Sequence, residues 1–234
     1  MLIGVTNFFR DREAFEALER DVIPQLVSAA VSAQPEKEEI RVWSAGCSTG
    51  EEAYSLAMLV NDQLQQEACK ASLQVFATDI DERAISFGRA GLYPQAIVTD
   101  VPPTRLRHYF IKEDEHYRIR KEIREKVLFA KHSLLSDPPF SQIDLIVCRN
   151  LLIYLDREVQ REILQMFHFA LRPGGFLFLG SSESADACHE LFTPVDKRNR
   201  IFRAKTGTAS SRRTPTVPRG GYVRSNISRQ APQN

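Results

Sequence analysis

The chain has 234 residues, 43% of them hydrophobic and 26% charged, enough apolar content to fill the core of one sizeable α/β domain with at most a small appendage. The formal charge of +1 is uneven, because residues 206–234 hold five arginines and no acid and so leave the preceding residues at −4, a balance that argues against a nucleic-acid-binding face on the folded body. Four scattered cysteines without a C-x-x-C pair argue against zinc or another metal centre and against a disulfide framework, and the lack of an apolar run near 18 residues argues against membrane insertion, so a cytoplasmic protein is expected.

Asp11 is placed to cap a first helix with Phe15, Leu18, Val22, Leu26 and Val27 on one face, running toward Pro35 with Pro24 as a possible kink. Ile40–Ala45 reads as a strand entering the turn Gly46-Cys-Ser-Thr-Gly50, followed by a helix with Ala53, Leu56, Ala57, Val60 and Leu64 inward. Leu73–Thr78 repeats the pattern, ends at Asp79 and passes into a helix from about Asp81 to Ala90 that stops at Gly91. Val127–Ala130 and Ile143–Cys148 are further buried strands, and Asp156 opens a helix that Arg172-Pro-Gly-Gly175 breaks before a strand at Phe176–Leu179. Ile201–Ala204 should pair with Leu191–Val195 as a closing hairpin. Strands alternating with helices imply a doubly wound, Rossmann-like α/β sheet with a ligand at the carboxyl ends of its strands. The fold is expected over residues 1–205, with residues 206–234 a disordered basic tail.

Gly46 and Gly50 form neither G-x-G-x-x-G nor a Walker motif. Glu51 and Glu52 open the next helix, where two carboxylates would repel the pyrophosphate of a dinucleotide. S-adenosylmethionine carries no phosphate but bears a sulfonium and an ammonium group, which suits an acidic helix start. Asp79, at the end of the second strand, is placed to accept both ribose hydroxyls. The plainer alternatives are that Glu51 and Glu52 only complement the helix dipole and that Asp79 only caps the next helix.

Thr6-Asn-Phe-Phe-Arg10, the stretch Arg41–Glu52 with Tyr54-Ser55, Ala77-Thr-Asp-Ile-Asp81, Cys148-Arg-Asn-Leu-Leu-Ile-Tyr154, Arg172-Pro-Gly-Gly175 and Gly180-Ser-Ser-Glu183 together resemble the chemotaxis receptor (CheR-type) methyltransferases. The resemblance implies a protein-glutamate O-methyltransferase that uses S-adenosylmethionine, releases S-adenosylhomocysteine and acts as a monomer on cytoplasmic helices of chemoreceptors. It implies that Thr6, Arg10, Glu52, Asp79, Arg149 and Asn150 line the cofactor site, with His132 and Ser133 contributing mainly backbone contacts. It places Arg10 and Tyr154 nearest the transferred methyl. Without that resemblance Tyr154 reads as a packing aromatic, Phe8 and Phe9 as core residues, and Arg10 as part of a solvated helix start.

The chain departs from the family at Gly4, where Asn is usual, and in having no small helical domain ahead of Thr6, which would make it a truncated form, a fragment or a variant that docks through another chain. Residues 104–124, within an insertion expected at about 100–125, resemble the family's small antiparallel β-subdomain, but the turn Lys112–His116 lacks glycine, so no dependence on a receptor tether peptide is expected. A non-catalytic docking module and a nicotinamide-dependent oxidoreductase are the competing readings.

Overall fold

The computed structural model describes residues 6–32 and 39–206; Gly4, the approach to Pro35 and the tail after residue 206 lie outside them. In chain order the elements are α1 (Arg12–Asp21), α2 (Ile23–Ser32), β1 (Glu39–Ala45), α3 (Glu51–Gln66), β2 (Ser72–Asp79), α4 (Glu82–Ala90) and β3 (Leu92–Pro94). They continue with α5 (Pro103–Tyr109), β4 (Phe110–Glu113), β5 (His116–Ile119), α6 (Lys121–Arg124), β6 (Val127–Lys131) and β7 (Ile143–Cys148). The chain then forms α7 (Arg157–Ala170), β8 (Leu171–Leu179), β9 (Phe192–Asp196) and β10 (Ile201–Ala204).

Seven strands form one sheet in the order β6-β2-β1-β7-β8-β10-β9. β1 pairs in parallel with β2 and β7, β2 with β6 and β7 with β8, while β10 runs antiparallel to both β8 and β9. The expected Rossmann-like α/β sheet and its closing hairpin are therefore present. From β1 the chain builds outward to β2 on one side and later to β7 on the other, so the strand order reverses between β1 and β7. That reversal leaves a crevice at their carboxyl ends, where doubly wound sheets bind ligands.

The two faces of the sheet are apolar because successive side chains alternate. Val42, Val147 and Phe178 pack with α1 to α4 in one core, whereas Trp43, Ile146 and Leu177 pack with Ile163, Leu164 and Phe167 of α7 in the other. The Trp43 indole N–H donates to Thr78 Oγ1 at 2.9 Å and so satisfies its polar edge inside the core.

Several local expectations are corrected. The first helix is two helices broken at Val22, one residue before the start of the Pro24-containing turn, because proline removes an amide donor and crowds the preceding turn. Asp11 occupies the cap position at φ 59° and makes no side-chain cap bond. β8 starts at Leu171 and carries the Pro-Gly-Gly run within it as an irregular stretch, with a register shift opposite Ile143 and Leu145. A second sheet, β3-β5-β4, takes its first strand from residues 92–94, ahead of the 100–125 segment, and residues 103–109 of that segment are helical. Its hairpin turns through Asp114 at φ 49°, a left-handed position that Asp tolerates without glycine.

Candidate active site

The turn after β1 supplies one wall of the crevice. Gly46 (φ 77°) and Gly50 (φ 94°) adopt backbone conformations that L side chains rarely reach, and a Cβ on Gly46 would lie 2.9 Å from Leu151 Cδ2. The turn is pinned from outside: Gly46 N and Cys47 N donate to the Thr78 carbonyl at 2.8 and 2.9 Å, and the Tyr93 hydroxyl donates to Thr49 O at 2.8 Å.

The two carboxylates that follow have separate roles. Glu51 is buried and accepts from Thr49 Oγ1 at 2.6 Å, which keeps it within its own turn; burial pushes its carboxyl up despite that bond. Glu52 accepts from Ser44 Oγ at 2.9 Å and lies 3.9 Å from Arg149 Nη1. Burial raises the Glu52 carboxyl, while Arg149, the Ser44 hydroxyl and the Arg10 charge pull it down and Glu183 pushes it up. Glu51 is thus engaged within its own turn, whereas Glu52 sits among charged groups, with Arg149 3.9 Å away.

Asp79 ends β2 with both carboxylate oxygens turned onto backbone: Ser48 N donates to Oδ2 at 2.8 Å and Asp81 N to Oδ1 at 2.9 Å. It is Asp81, not Asp79, that caps α4, accepting from Arg83 N and Ala84 N. Each Asp79 oxygen keeps a lone pair for a ligand hydroxyl. His132 N donates to the Asp79 carbonyl at 3.0 Å, and Ser133 N to Asp137 Oδ2 at 2.8 Å. Both backbone amides are thus committed, so contacts through these two residues must use other atoms. The His132 ring stacks on Phe140 with Nε2 3.0 Å from the Pro138 carbonyl, which places the proton on Nε2 and leaves Nδ1 a buried acceptor without a partner.

The facing wall comes from the end of β7 and the N-terminal segment. Arg149 is enclosed: its side chain is 1% exposed, stacked 4.7 Å over Phe178, and donates to the Arg10 carbonyl at 3.0 Å and to Asp11 Oδ2 at 2.5 Å. It braces the segment that carries Arg10, while Phe9 N donates to Ser55 Oγ at 3.0 Å and the Phe8 ring meets Tyr93 and Phe110 edge-on. Thr6 and Arg10 are half-buried on this segment, and Phe8 and Phe9 are core residues. Asn150 is half-buried at φ 58°. Tyr154 follows on a 3-10 turn and is 54% exposed, which removes the packing-aromatic alternative. A cleft of about 350 Å³ flanks this wall, bordered by Asp11, Arg12, Glu13, Ser181 and Arg198.

The set fits an adenosyl group bearing cationic substituents better than a dinucleotide: acidic side chains at the switch point and no phosphate-binding glycine pattern. A Rossmann-like sheet with this crevice defines a domain of the S-adenosylmethionine-dependent methyltransferase class. Residues 4–201 match the family described as CheR methyltransferase, SAM binding domain. The chain belongs to that family, and S-adenosylmethionine is its cofactor. A chemotaxis protein methyltransferase 1 of Pseudomonas aeruginosa is 36% identical over 211 residues, 88% of this chain and 75% of that protein. The Escherichia coli chemotaxis protein methyltransferase is 36% identical over 199 residues, covering 81% and 64%. An uncharacterized 104.1 kDa protein of Rhodobacter capsulatus is 44% identical over 204 residues, 87% of this chain but 21% of that protein.

Proposed function

We propose that this domain transfers the methyl group of S-adenosylmethionine to glutamate carboxylates on the cytoplasmic helices of a chemoreceptor, acting in the cytoplasm as a monomer. The observation that carries this reading is Tyr154, 54% exposed on the 3-10 turn that follows β7, a strand beside the point where the strand order reverses. An aromatic hydroxyl at a surface rim is accessible to a macromolecular acceptor, as a buried one would not be. The relatives named chemotaxis protein methyltransferases support the choice of acceptor.

When bound, S-adenosylmethionine supplies an electrophilic methyl on sulfonium. A glutamate acceptor, with a reference pKa of about 4.3, is already ionised at neutral pH, so no side chain of this domain has to remove a proton. The catalytic task is alignment. Glu52 offers negative charge to a cationic ligand and Asp79 offers two carboxylate oxygens to a ribose. Arg10, held by its carbonyl to Arg149, orients a carboxylate by paired hydrogen bonds, and Tyr154 presents its hydroxyl and ring on the rim.

The test incubates the chain with methyl-labelled S-adenosylmethionine and receptor-bearing membranes and collects base-labile methanol, the signature of a carboxyl ester. Label in methanol that falls in Tyr154→Phe and Asp79→Ala supports the reading. Absence of label from a protein that still binds S-adenosylhomocysteine would replace it with a docking module.

A further inference from the structure

We infer that Glu183 is the positioning residue of the active-site turn, holding Asn150 to Tyr154 at the rim of the crevice; only the kinetic part of its test rests on the proposed methyl transfer. Glu183 lies in the loop after β8 and is 4% exposed. Its Oε2 accepts from Gly180 N at 2.7 Å and from Asn150 N at 3.0 Å, and its Oε1 from Leu152 N at 2.7 Å and Ile153 N at 3.4 Å. Three of these four donors belong to the turn that presents Tyr154.

Those amides need an outside acceptor. After β7 the chain leaves the sheet through Asn150 in the left-handed region and enters a single 3-10 turn, within which Tyr154 N donates to Leu151 O and Leu155 N to Leu152 O. The amides of Asn150, Leu152 and Ile153 precede that turn's own bonds, and a buried N–H without a partner is costly. A carboxylate can serve all of them because it only accepts, with about four lone-pair sites on two oxygens. A glutamine cannot, since its NH2 end would face N–H donors.

Gly180 belongs to the same unit. A Cβ there would lie 2.7 Å from Glu183 Oε2 and 2.8 Å from Asn150 N, wedging the carboxylate away from the turn. Gln160 completes the mount from the other side, its Nε2 donating to the Leu152 and Leu155 carbonyls at 2.9 Å each. Glu183 therefore does not have to touch a ligand to act: its charge is felt at Glu52, and its bonds set where Asn150 and Tyr154 stand.

The experiment compares Glu183→Gln and Gly180→Ala with the unaltered chain in three measurements. Amide hydrogen exchange of Asn150, Leu152 and Ile153 should speed up about tenfold or more while the amides of β1 and β2 keep their protection. S-adenosylhomocysteine affinity should weaken. The kcat counted per S-adenosylhomocysteine-binding site should fall about tenfold or more, with the acceptor KM changed by less than about threefold. A merely stabilising residue would lower the melting temperature and leave kcat per binding site unchanged, and that result would overturn the inference. So would unchanged exchange of the three amides in both variants. If Glu183→Gln does not fold, Gly180→Ala decides alone, since it keeps the carboxylate and only displaces it. If the unaltered chain methylates no carboxylate, the proposed function fails, while exchange and ligand affinity still decide the role of Glu183.

Discussion

The guanidinium of Arg149 donates to the carboxylate of Asp11 at 2.5 Å across a sequence separation of 138 residues. This bond explains why Asp11 heads α1 in a left-handed conformation without capping it: its side chain is turned inward to the end of β7 rather than down onto its own helix. The same guanidinium holds the Arg10 carbonyl at 3.0 Å, so one buried cation fixes the entry of the N-terminal segment into the site.

Arg149→Met should destabilise the domain by about 3–5 kcal/mol, the cost of removing one member of a buried ionic network. Asp11→Ala should cost about 1–3 kcal/mol, less than Arg149→Met because Asp11 is 46% exposed, yet more than a surface pair because Arg149, 1% exposed, loses its 2.5 Å partner. Arg149→Lys should recover less than half of the loss, since an ammonium cannot stack on Phe178 while reaching both acceptors. Urea unfolding of the three variants checks the order.

Glu52 predicts a separation of stability from affinity. Burial raises its carboxyl above the ordinary glutamate value, so the folded protein holds that proton more readily than the unfolded chain. The associated stability is present below the unfolded value and is lost as pH rises through the folded one. Glu52→Gln should therefore leave the unliganded domain no less stable at pH 7, yet weaken S-adenosylmethionine binding by about tenfold. In the unaltered chain affinity should decline as pH falls into the window just above the ordinary glutamate range, and in Glu52→Gln it should be flat. Titration calorimetry and thermal melting between about pH 5 and 8 follow both effects.

The central strands were legible because β1, β2, β6 and β7 are short apolar runs bounded by turn residues, and the hairpin of β9 and β10 because a charged turn separates two such runs. The position of Asp79 at the end of β2 was legible from the apolar run before it. What was not legible depends on partners distant in sequence. Glu183 closes a sequence motif with no role of its own until the sheet brings Asn150, Leu152 and Ile153 onto it. That Arg149 is enclosed by Asp11, Arg10 and Phe178 could not be read from its neighbours in sequence. The Pro-Gly-Gly run reads as a break, whereas β7 pairs with β8 on both sides of it, Ile143 with Leu171 and Leu145 with Phe176.

Asp79→Ala removes acceptors for two backbone amides as well as the carboxylate proposed to hold the ribose. Affinity for S-adenosylhomocysteine should fall by about a hundredfold and stability by about 2 kcal/mol, because Ser48 N and Asp81 N lose their acceptor. Asp79→Asn retains one side-chain acceptor and should lie between. Calorimetric binding of the three proteins tests the ranking.

Tyr154→Phe should change stability by no more than about 0.5 kcal/mol, as expected for a half-exposed side chain. Its kcat should fall by about tenfold or more if the hydroxyl meets the reacting groups. Parallel melting curves and initial rates distinguish this from a folding defect.

Phe129 fills the space left by two glycines, and the two should respond differently to repair. A Cβ on Gly88 would lie 2.5 Å from Phe129 Cε1, and one on Gly50 2.7 Å from Phe129 Cζ. Either alanine should therefore cost about 1–3 kcal/mol through overpacking. Gly50 also stands at φ 94°, where an alanine is strained by a further ~1 kcal/mol or more whatever the space around it. Shrinking the ring in Phe129→Leu should recover much of the loss in Gly88→Ala, since only the clash is at fault there, and little of the loss in Gly50→Ala. Double-mutant cycles read from chemical denaturation give the two coupling energies, and equal recovery at both positions would show that ring contact, not backbone conformation, sets the requirement for glycine in the cofactor turn.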